Sequence, residues 1–208
     1  MTPLLPPFRI EDDLLDADER GALLQWALAN EQRFVPAALG GERVDPSVRL
    51  ASSLRDLGPL DAIFRERMRD RAAGLVEMLR VSPFALSEIE LELVAHNDGA
   101  HFQRHEDTYS GTAHSRRGER MLSGVYYFHR EPKRFSGGAL RLYPFGAAGE
   151  DNGVDIEPEQ GRLVVFPSWA AHEVRTVCVP TRAFADSRFA VNCWLYRAST
   201  RISGAASS

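Results

Sequence analysis

Residues 96–108, HNDGAHFQRHEDT, contain His-x-Asp twice, as His96-Asn97-Asp98 and as His105-Glu106-Asp107. Side chains two apart on an extended chain point to the same side, so either pair could offer an imidazole and a carboxylate to one cation. Their settings differ. Asn97-Asp98-Gly99 directly follows a strand-like run and reads as a turn, with Asp98 bonding local backbone and Gly99 free to adopt positive φ. His105 and Asp107 instead close a second extended stretch. A remote third residue is His172 in FPSWAAHEV, after an apolar strand and a Pro-Ser turn. Two imidazoles and one carboxylate form a set that takes one face of an octahedral ferrous ion and leaves the other face open to small ligands and dioxygen. Zinc would ordinarily recruit a further protein ligand. No obvious fourth is present, although His101 and His114 are available.

Arg188 opens the run RFAVNCWLY downstream of His172. In an extended conformation Arg188, Ala190, Asn192 and Trp194 share one face, and Phe189, Val191, Cys193 and Leu195 share the other. An arginine turned into an apolar interior needs an anion, because an unpaired buried charge is very costly. A dicarboxylate cosubstrate would supply one, gripped through two parallel hydrogen bonds. Two other assignments stand beside this one. Arg188 could pair with a structural acid such as Asp186, or Arg182, beside Pro180 and Thr181, could take the anion instead.

These residues need a scaffold. The chain of 208 residues is 44% hydrophobic and 26% charged, ordinary values for a single globular domain. A net charge of −4 argues against a dedicated nucleic-acid binder. No apolar run approaches the roughly 20 residues needed to cross a bilayer. The start MTPLLPPFRIEDDLLD has too short an apolar run and too many acids for a secretory signal. Cys178 and Cys193 make no disulfide framework. A soluble cytoplasmic protein with reduced thiols is expected, with neither nucleic acid nor membrane as partner and no oligomeric state implied.

Residues 1–82 are expected to form a helical support region. Acidic residues from Asp12 to Glu19 suit a helix start, and Leu23, Leu24, Trp26, Ala27 and Leu28 supply an apolar stripe. A second helix is expected over about 60–79, where Leu60, Ile63, Phe64, Met68, Leu75, Val76 and Leu79 recur at helical spacing. The segment between them, PAALGGERVDPSVRLASS, is expected to be irregular. From residue 83 the rhythm changes to period two. Ile89, Leu91 and Leu93 alternate with Glu90 and Glu92 in a half-buried strand. Further strands are expected at 121–129, 139–143, 162–166 and 188–196, punctuated by Gly137-Gly138, Asn152-Gly153 and Gly161. This is the pattern of a mainly β chain with supporting α-helices: a double-stranded β-helix, or jelly roll, over 83–198, with an N-terminal helical layer on one outer sheet face. Residues 199–208 are expected to be a disordered tail. Residues 108–120, TYSGTAHSRRGER, are expected to be a loop near the metal. There Arg116, Arg117 and Arg120 would either attract an acidic substrate or belong to a solvated surface.

The chain resembles the bacterial type of the prolyl 4-hydroxylase-like branch of the 2-oxoglutarate and Fe(II)-dependent dioxygenases. The likeness is carried by His105-x-Asp107, by VYYFHREPKRFSGGALRLYPFG, by GRLVVFPSWAAHEV with His172, and by SRFAVNCWLY with Arg188, from about His96 to Arg197. It implies that His105, Asp107 and His172 ligate Fe(II). It implies too that Arg188 binds the distal carboxylate of 2-oxoglutarate with the Tyr127 hydroxyl as its partner. Tyr127 is preferred to Tyr126 because it matches the second aromatic of the family's paired-Tyr strand; plain sheet packing is the alternative. Leu140, Val174 and Trp194 would form the pocket wall, a place that core packing would also give them. The implied reaction is hydroxylation of an unactivated C–H bond in a prolyl or other amino-acid residue of a peptide or protein, with succinate and CO2 as co-products and ascorbate as an optional helper. A free amino acid or other small metabolite as substrate, and a non-catalytic cupin-like metal-binding protein, are the alternatives. Related halogenases lack the carboxylate that Asp107 provides, which favours hydroxylation here. The chain departs from the pattern twice. His96 stands where many relatives have a cosubstrate-binding Tyr, so it could replace that Tyr, touch substrate or cap the turn. The stretch between His172 and Arg188 is longer than in animal oxygen-sensing relatives and resembles bacterial ones.

Overall fold

The computed structural model describes residues 4–39, 43–108, 118–146 and 153–198. Its two α-helices are α1 (Ala17–Ala29) and α2 (Leu60–Met78). The strands are β1 (Arg9–Glu11), β2 (Val35–Pro36), β3 (Arg49–Leu50), β4 (Ser52–Leu54), β5 (Leu86–His96), β6 (His101–His105), β7 (Glu119–Phe128), β8 (Ser136–Gly137), β9 (Leu140–Leu142), β10 (Val154–Ile156), β11 (Leu163–Pro167), β12 (His172–Val174), β13 (Val177–Cys178) and β14 (Arg188–Arg197). A seven-stranded antiparallel sheet runs β1-β11-β7-β14-β5-β4-β2, and a five-stranded one runs β10-β9-β12-β6-β3. The two sheets face each other as a jelly roll. Tyr127, Val164, Phe166 and Ala190 of the larger meet Leu140, Leu142 and Ile156 of the smaller in one buried cluster.

The other face of the larger sheet lies under the helices. The acidic run expected to start the first helix resolves into a capping box. The Asp16 carboxylate accepts from the Glu19 N–H, and the Glu19 carboxylate accepts from the Asp16 N–H, each at 2.9 Å. Glu19 also accepts from Arg67 of α2 at 2.5 Å, which ties the helices together. Leu60, Phe64, Met68, Ala72 and Leu75 recur every three or four residues along α2, and all are buried. With Leu23 and Ala27 of α1 they cover Leu91, Leu93, Leu122, Tyr126, Val191, Cys193 and Leu195. Period two on β14 thus sends its odd-numbered residues to the helices and its even-numbered residues to the space between the sheets.

Three expectations need correction. The first 82 residues are not only helical: β1 pairs with β11, β2 with β4, β4 with β5 and β3 with β6. The link expected to be irregular supplies most of those pairings, because Arg49, Ser52, Ser53 and Leu54 extend the exposed edges of both sheets. Thirdly, β5 is buried on both faces: Glu90 and Glu92 are 9% and 4% exposed, set among arginines rather than solvent. No helix among the described residues is long and apolar enough to cross a membrane. Cys178 and Cys193 are free thiols. The proposed tail, His114, Arg116 and Arg117 lie outside the described residues.

Candidate functional site

His105 ends β6 and His172 begins β12, and the two are direct cross-strand partners. Neighbouring antiparallel strands thus place two imidazoles side by side, with ring centroids 4.2 Å apart. Asp107 follows β6 by two residues and is held in place by its backbone, whose N–H donates to the Ser168 carbonyl at 2.9 Å. Its Oδ1 stands 3.7 Å from His105 Nε2 and its Oδ2 3.7 Å from His172 Nε2. One ligand atom from each residue lies within 4.8 Å of the others, close enough to hold one metal ion.

The histidines are fixed in the tautomer a metal needs. Nδ1 of His105 donates to the Gln103 carbonyl and Nδ1 of His172 to the Ala170 carbonyl, each at 2.8 Å. A carbonyl only accepts, so the ring proton sits on Nδ1 and the Nε2 lone pair is left for the cation. Phe102 stacks on His105 at 3.5 Å, and Phe166 meets His172 edge-on at 4.7 Å. Burial, and next His172, hold the His105 ring below the ordinary imidazole range. Burial alone would push the Asp107 carboxyl up, but His172, His105 and Arg120 outweigh it and keep the group ionised. A neutral imidazole beside an ionised carboxylate is the protonation state of a ready ligand set.

The same cavity, about 510 Å³, runs on to Arg188, His96, Leu140 and Val174. Arg188 is 1% exposed and forms no salt bridge with a carboxylate among the described residues. Its Nη1 donates to Nδ1 of His96 at 3.0 Å, a contact set by the register that pairs Arg188 with His96 across β14 and β5. Because a guanidinium only donates, His96 accepts through Nδ1 and carries its proton on Nε2. Burial, then the charge of Arg188, hold this imidazole well below its ordinary value, so it is neutral. Nε and Nη2 of Arg188 and the Tyr127 hydroxyl are buried and make no well-formed hydrogen bond among the described residues, although the two groups lie close enough for the guanidinium to oppose the burial that raises the Tyr127 phenol. The guanidinium carbon lies 4.7 Å from the centre of the Tyr127 ring. Tyr126, by contrast, turns to the helices. Gly138 makes room for the arginine: at φ +74° a side chain is strained there, and a Cβ would come within 2.6 Å of Arg188 Cδ.

The rivals for these roles are engaged elsewhere. Asp186 accepts from Arg130 and from Thr181. Arg182 pairs on the surface with Asp98 at 3.2 Å. Asp98 bonds not local backbone but the distant Val179 N–H at 3.0 Å, with Gly99 beside it at φ +77° as the turn requires. His101 is bonded to the carbonyls of Gly99 and Ser47.

Trp194 lines the cavity and does more than that: its indole N–H donates to Asp107 Oδ2 at 2.9 Å. Arg120, expected on the loop, lies in β7. It donates to Glu90 at 3.0 Å and to the Tyr196 hydroxyl at 2.8 Å. Arg49 donates to Glu92 at 2.8 Å, with Asn192 on the same carboxylate at 3.3 Å. Ser123, which donates to Asp107 at 2.6 Å, was not singled out from sequence. Its signal was there, since Ser123, Val125 and Tyr127 share one face of β7.

Two facing antiparallel sheets with a two-histidine, one-carboxylate set at the mouth define the class. The chain belongs to the 2OG-Fe(II) oxygenase superfamily, whose family model matches residues 91–196. It is 41% identical over 143 residues to an uncharacterised PKHD-type hydroxylase of Synechocystis sp., a match that takes in 65% of this chain and 45% of that protein. The chain therefore spans less than half the length of that relative. A Pseudomonas putida prolyl-4-hydroxylase is similar in fold, with TM-score 0.67 and 23% identity, over 92% of this chain and 93% of that one. So is a prolyl hydroxylase from Trichoplax adhaerens in complex with a hypoxia inducible factor oxygen degradation domain peptide fragment, with TM-score 0.66 and 20% identity, over 92% and 84% of the two chains. Fe(II) and 2-oxoglutarate are the metal and cosubstrate of this superfamily, and the residues present fit both. Nitrogen and carboxylate donors suit the first, and an unmatched buried guanidinium beside an unpartnered hydroxyl suits the second.

Proposed function

We propose that the chain is a hydroxylase in which His105, Asp107 and His172 hold Fe(II), while Arg188, Tyr127 and His96 hold 2-oxoglutarate. The observation that carries this reading is Arg188: a buried cation whose Nε and Nη2 make no well-formed hydrogen bond among the described residues, in the same cavity as the three ligands. Fe(II) and 2-oxoglutarate together supply the oxidising power, with dioxygen spent on hydroxylating a C–H bond and on converting 2-oxoglutarate to succinate and CO2. The chain supplies the rest. Arg188 and the Tyr127 hydroxyl orient the distal carboxylate, and the Nε2–H of His96 is a third donor on a ring that lines the same cavity. Leu140 and Val174, which line the cavity, exclude water around the cosubstrate carbons. The free thiols support a reducing, cytoplasmic setting.

For the substrate we favour a prolyl or other amino-acid residue in a peptide or protein, supported by the likeness to prolyl hydroxylases. A free amino acid or another small polar metabolite is the second reading. It is favoured by a wall that carries both signs of charge in matched pairs, Arg49 with Glu92 and Arg120 with Glu90. The test incubates the chain with Fe(II), 2-oxoglutarate and panels of prolyl peptides and free amino acids, and looks by mass spectrometry for products heavier by one oxygen atom. His172→Ala is expected to abolish iron-dependent succinate formation while leaving the metal-free fold intact. Unchanged turnover in that variant would remove His172 from the site, and no succinate from the unaltered chain under any condition would favour a cupin-like binding protein.

A further inference from the structure

An aspartate ligand has two oxygens, and a metal centre that must keep positions open for other ligands can spare only one position for it. Here Oδ1 and Oδ2 of Asp107 stand at the same distance, 3.7 Å, from His105 Nε2 and His172 Nε2 respectively, so proximity alone does not choose between them. Hydrogen bonding does. Oδ2 accepts from the Ser123 hydroxyl at 2.6 Å and from the Trp194 indole N–H at 2.9 Å, which uses both of its lone pairs. Oδ1 accepts no hydrogen bond from any described residue. Among the described residues the arginine beside it is Arg120, whose Nη1 stands 3.9 Å away, beyond hydrogen-bond reach.

Arg120 is held at that distance. Its Nε donates to the Tyr196 hydroxyl and its Nη2 to Glu90, and its guanidinium lies over the Trp194 ring at 4.0 Å. It therefore lends positive charge near Oδ1 without taking the lone pair, and it packs the indole against the ligand. Ser123 is braced in turn by Ser168, whose hydroxyl is 2.9 Å away and whose carbonyl accepts from the Asp107 N–H. Side chain and backbone of Asp107 are thus fixed from one serine pair, and the indole closes the bracket.

We propose that Ser123 and Trp194 are positioning residues that make Asp107 a one-oxygen ligand through Oδ1, with Arg120 as the clamp on Trp194. This rests on the assignment of His105, Asp107 and His172 as metal ligands. The test uses Co(II) alone, bound to the full chain, and reads affinity by equilibrium dialysis together with the visible absorption of bound Co(II), which responds to the ligand set. Trp194→Phe keeps the ring under Arg120 and removes only the N–H; Ser123→Ala removes the hydroxyl. Each is expected to weaken Co(II) binding by about 10- to 100-fold and to change the absorption, as loss of a ligand's supporting hydrogen bond does. Ser123→Thr, which keeps a hydroxyl, is expected to retain both affinity and spectrum. Should Trp194→Phe fail to fold, the Ser123→Ala and Ser123→Thr pair decides alone. Co(II) binding and absorption in Ser123→Ala that match the unaltered chain would overturn the bracket. Failure of the unaltered chain to bind Co(II), or full binding by His172→Ala, would instead overturn the metal site itself.

Discussion

Among the described residues, Arg188, Arg49 and Arg120 are arginines that line the cavity from the two sheets, and they fall into two kinds. At one end Arg188 has a neutral histidine as its hydrogen-bond partner and no carboxylate partner among the described residues. At the other end Arg49 and Arg120 each hold a glutamate, at 2.8 Å and 3.0 Å. Arg49 keeps one unpartnered N–H, Nε, but its charge is matched. Residue type and burial are therefore not what marks a binding residue in this molecule. A matched pair is finished by folding, whereas an unmatched buried cation costs several kcal/mol that folding does not recover and that a ligand carboxylate can offset.

The contrast can be broken by treating both kinds alike. Arg49→Met leaves Glu92 buried with only Asn192 beside it, so it is expected to destabilise the metal-free chain by about 3–5 kcal/mol in urea unfolding. Arg188→Met removes a charge that nothing matched, so the ligand-free chain should be as stable as the unaltered one or more so. Its loss appears on binding: the 2-oxoglutarate dissociation constant in the metal-loaded chain should rise by about 100-fold or more, as when one member of a buried charge pair is truncated. Equal destabilisation by the two substitutions would show that Arg188 has a structural partner after all.

The inner faces were legible in the sequence because a strand's period is two and both sides of β14 are distinctive. Arg188, Asn192 and Trp194 alternate with Phe189, Val191 and Cys193, and the structure keeps that division. That His105, Asp107 and His172 could share one cation was legible because two imidazoles and a carboxylate together are a familiar metal-ligand set, and the structure brings their ligand atoms within 4.8 Å of one another. Glu90 and Glu92 were misread as solvent-facing, since alternation with leucine is the same whether the polar side meets water or arginine. The deciding partners, Arg49 and Arg120, lie 43 and 30 residues away. Short edge strands such as β3 and β4 were invisible for a related reason. Two or three residues carry no measurable period, and their pairing is dictated by the sheet they join.

His96 sharpens the comparison through pH. Burial first, and Arg188 next, hold its folded value well below that of an exposed imidazole. The folded chain therefore binds fewer protons at this site than the unfolded chain does. The resulting stability is fully present above the unfolded value near 6.5 and is lost as pH falls through it toward the folded value. Between pH 7 and pH 5 the unaltered chain should lose more stability than His96→Phe does, measured by urea unfolding without metal. Using the difference between the two chains cancels the contribution of His105, which both retain. Parallel pH profiles would mean that His96 becomes charged inside the fold, which its place beside an unmatched guanidinium argues against.

The smallest effect belongs to Arg182, the other arginine that the sequence offered for an anion. Its side chain is 80% exposed, and its partner Asp98 keeps a second hydrogen bond from the Val179 N–H when the guanidinium is gone. An exposed pair of this kind gains little Coulomb energy and costs side-chain entropy, so Arg182→Ala should change stability by no more than about 0.5 kcal/mol. Residue 182 sits at φ +53°, a strain that alanine inherits rather than relieves. The 2-oxoglutarate dissociation constant should not move, because a solvated guanidinium already has water for its charge and gains little from a carboxylate. A rise in that constant comparable to the one in Arg188→Met would mean that surface charge draws the cosubstrate in. Burial without a counter-charge would then not be what selects the anion site in this fold.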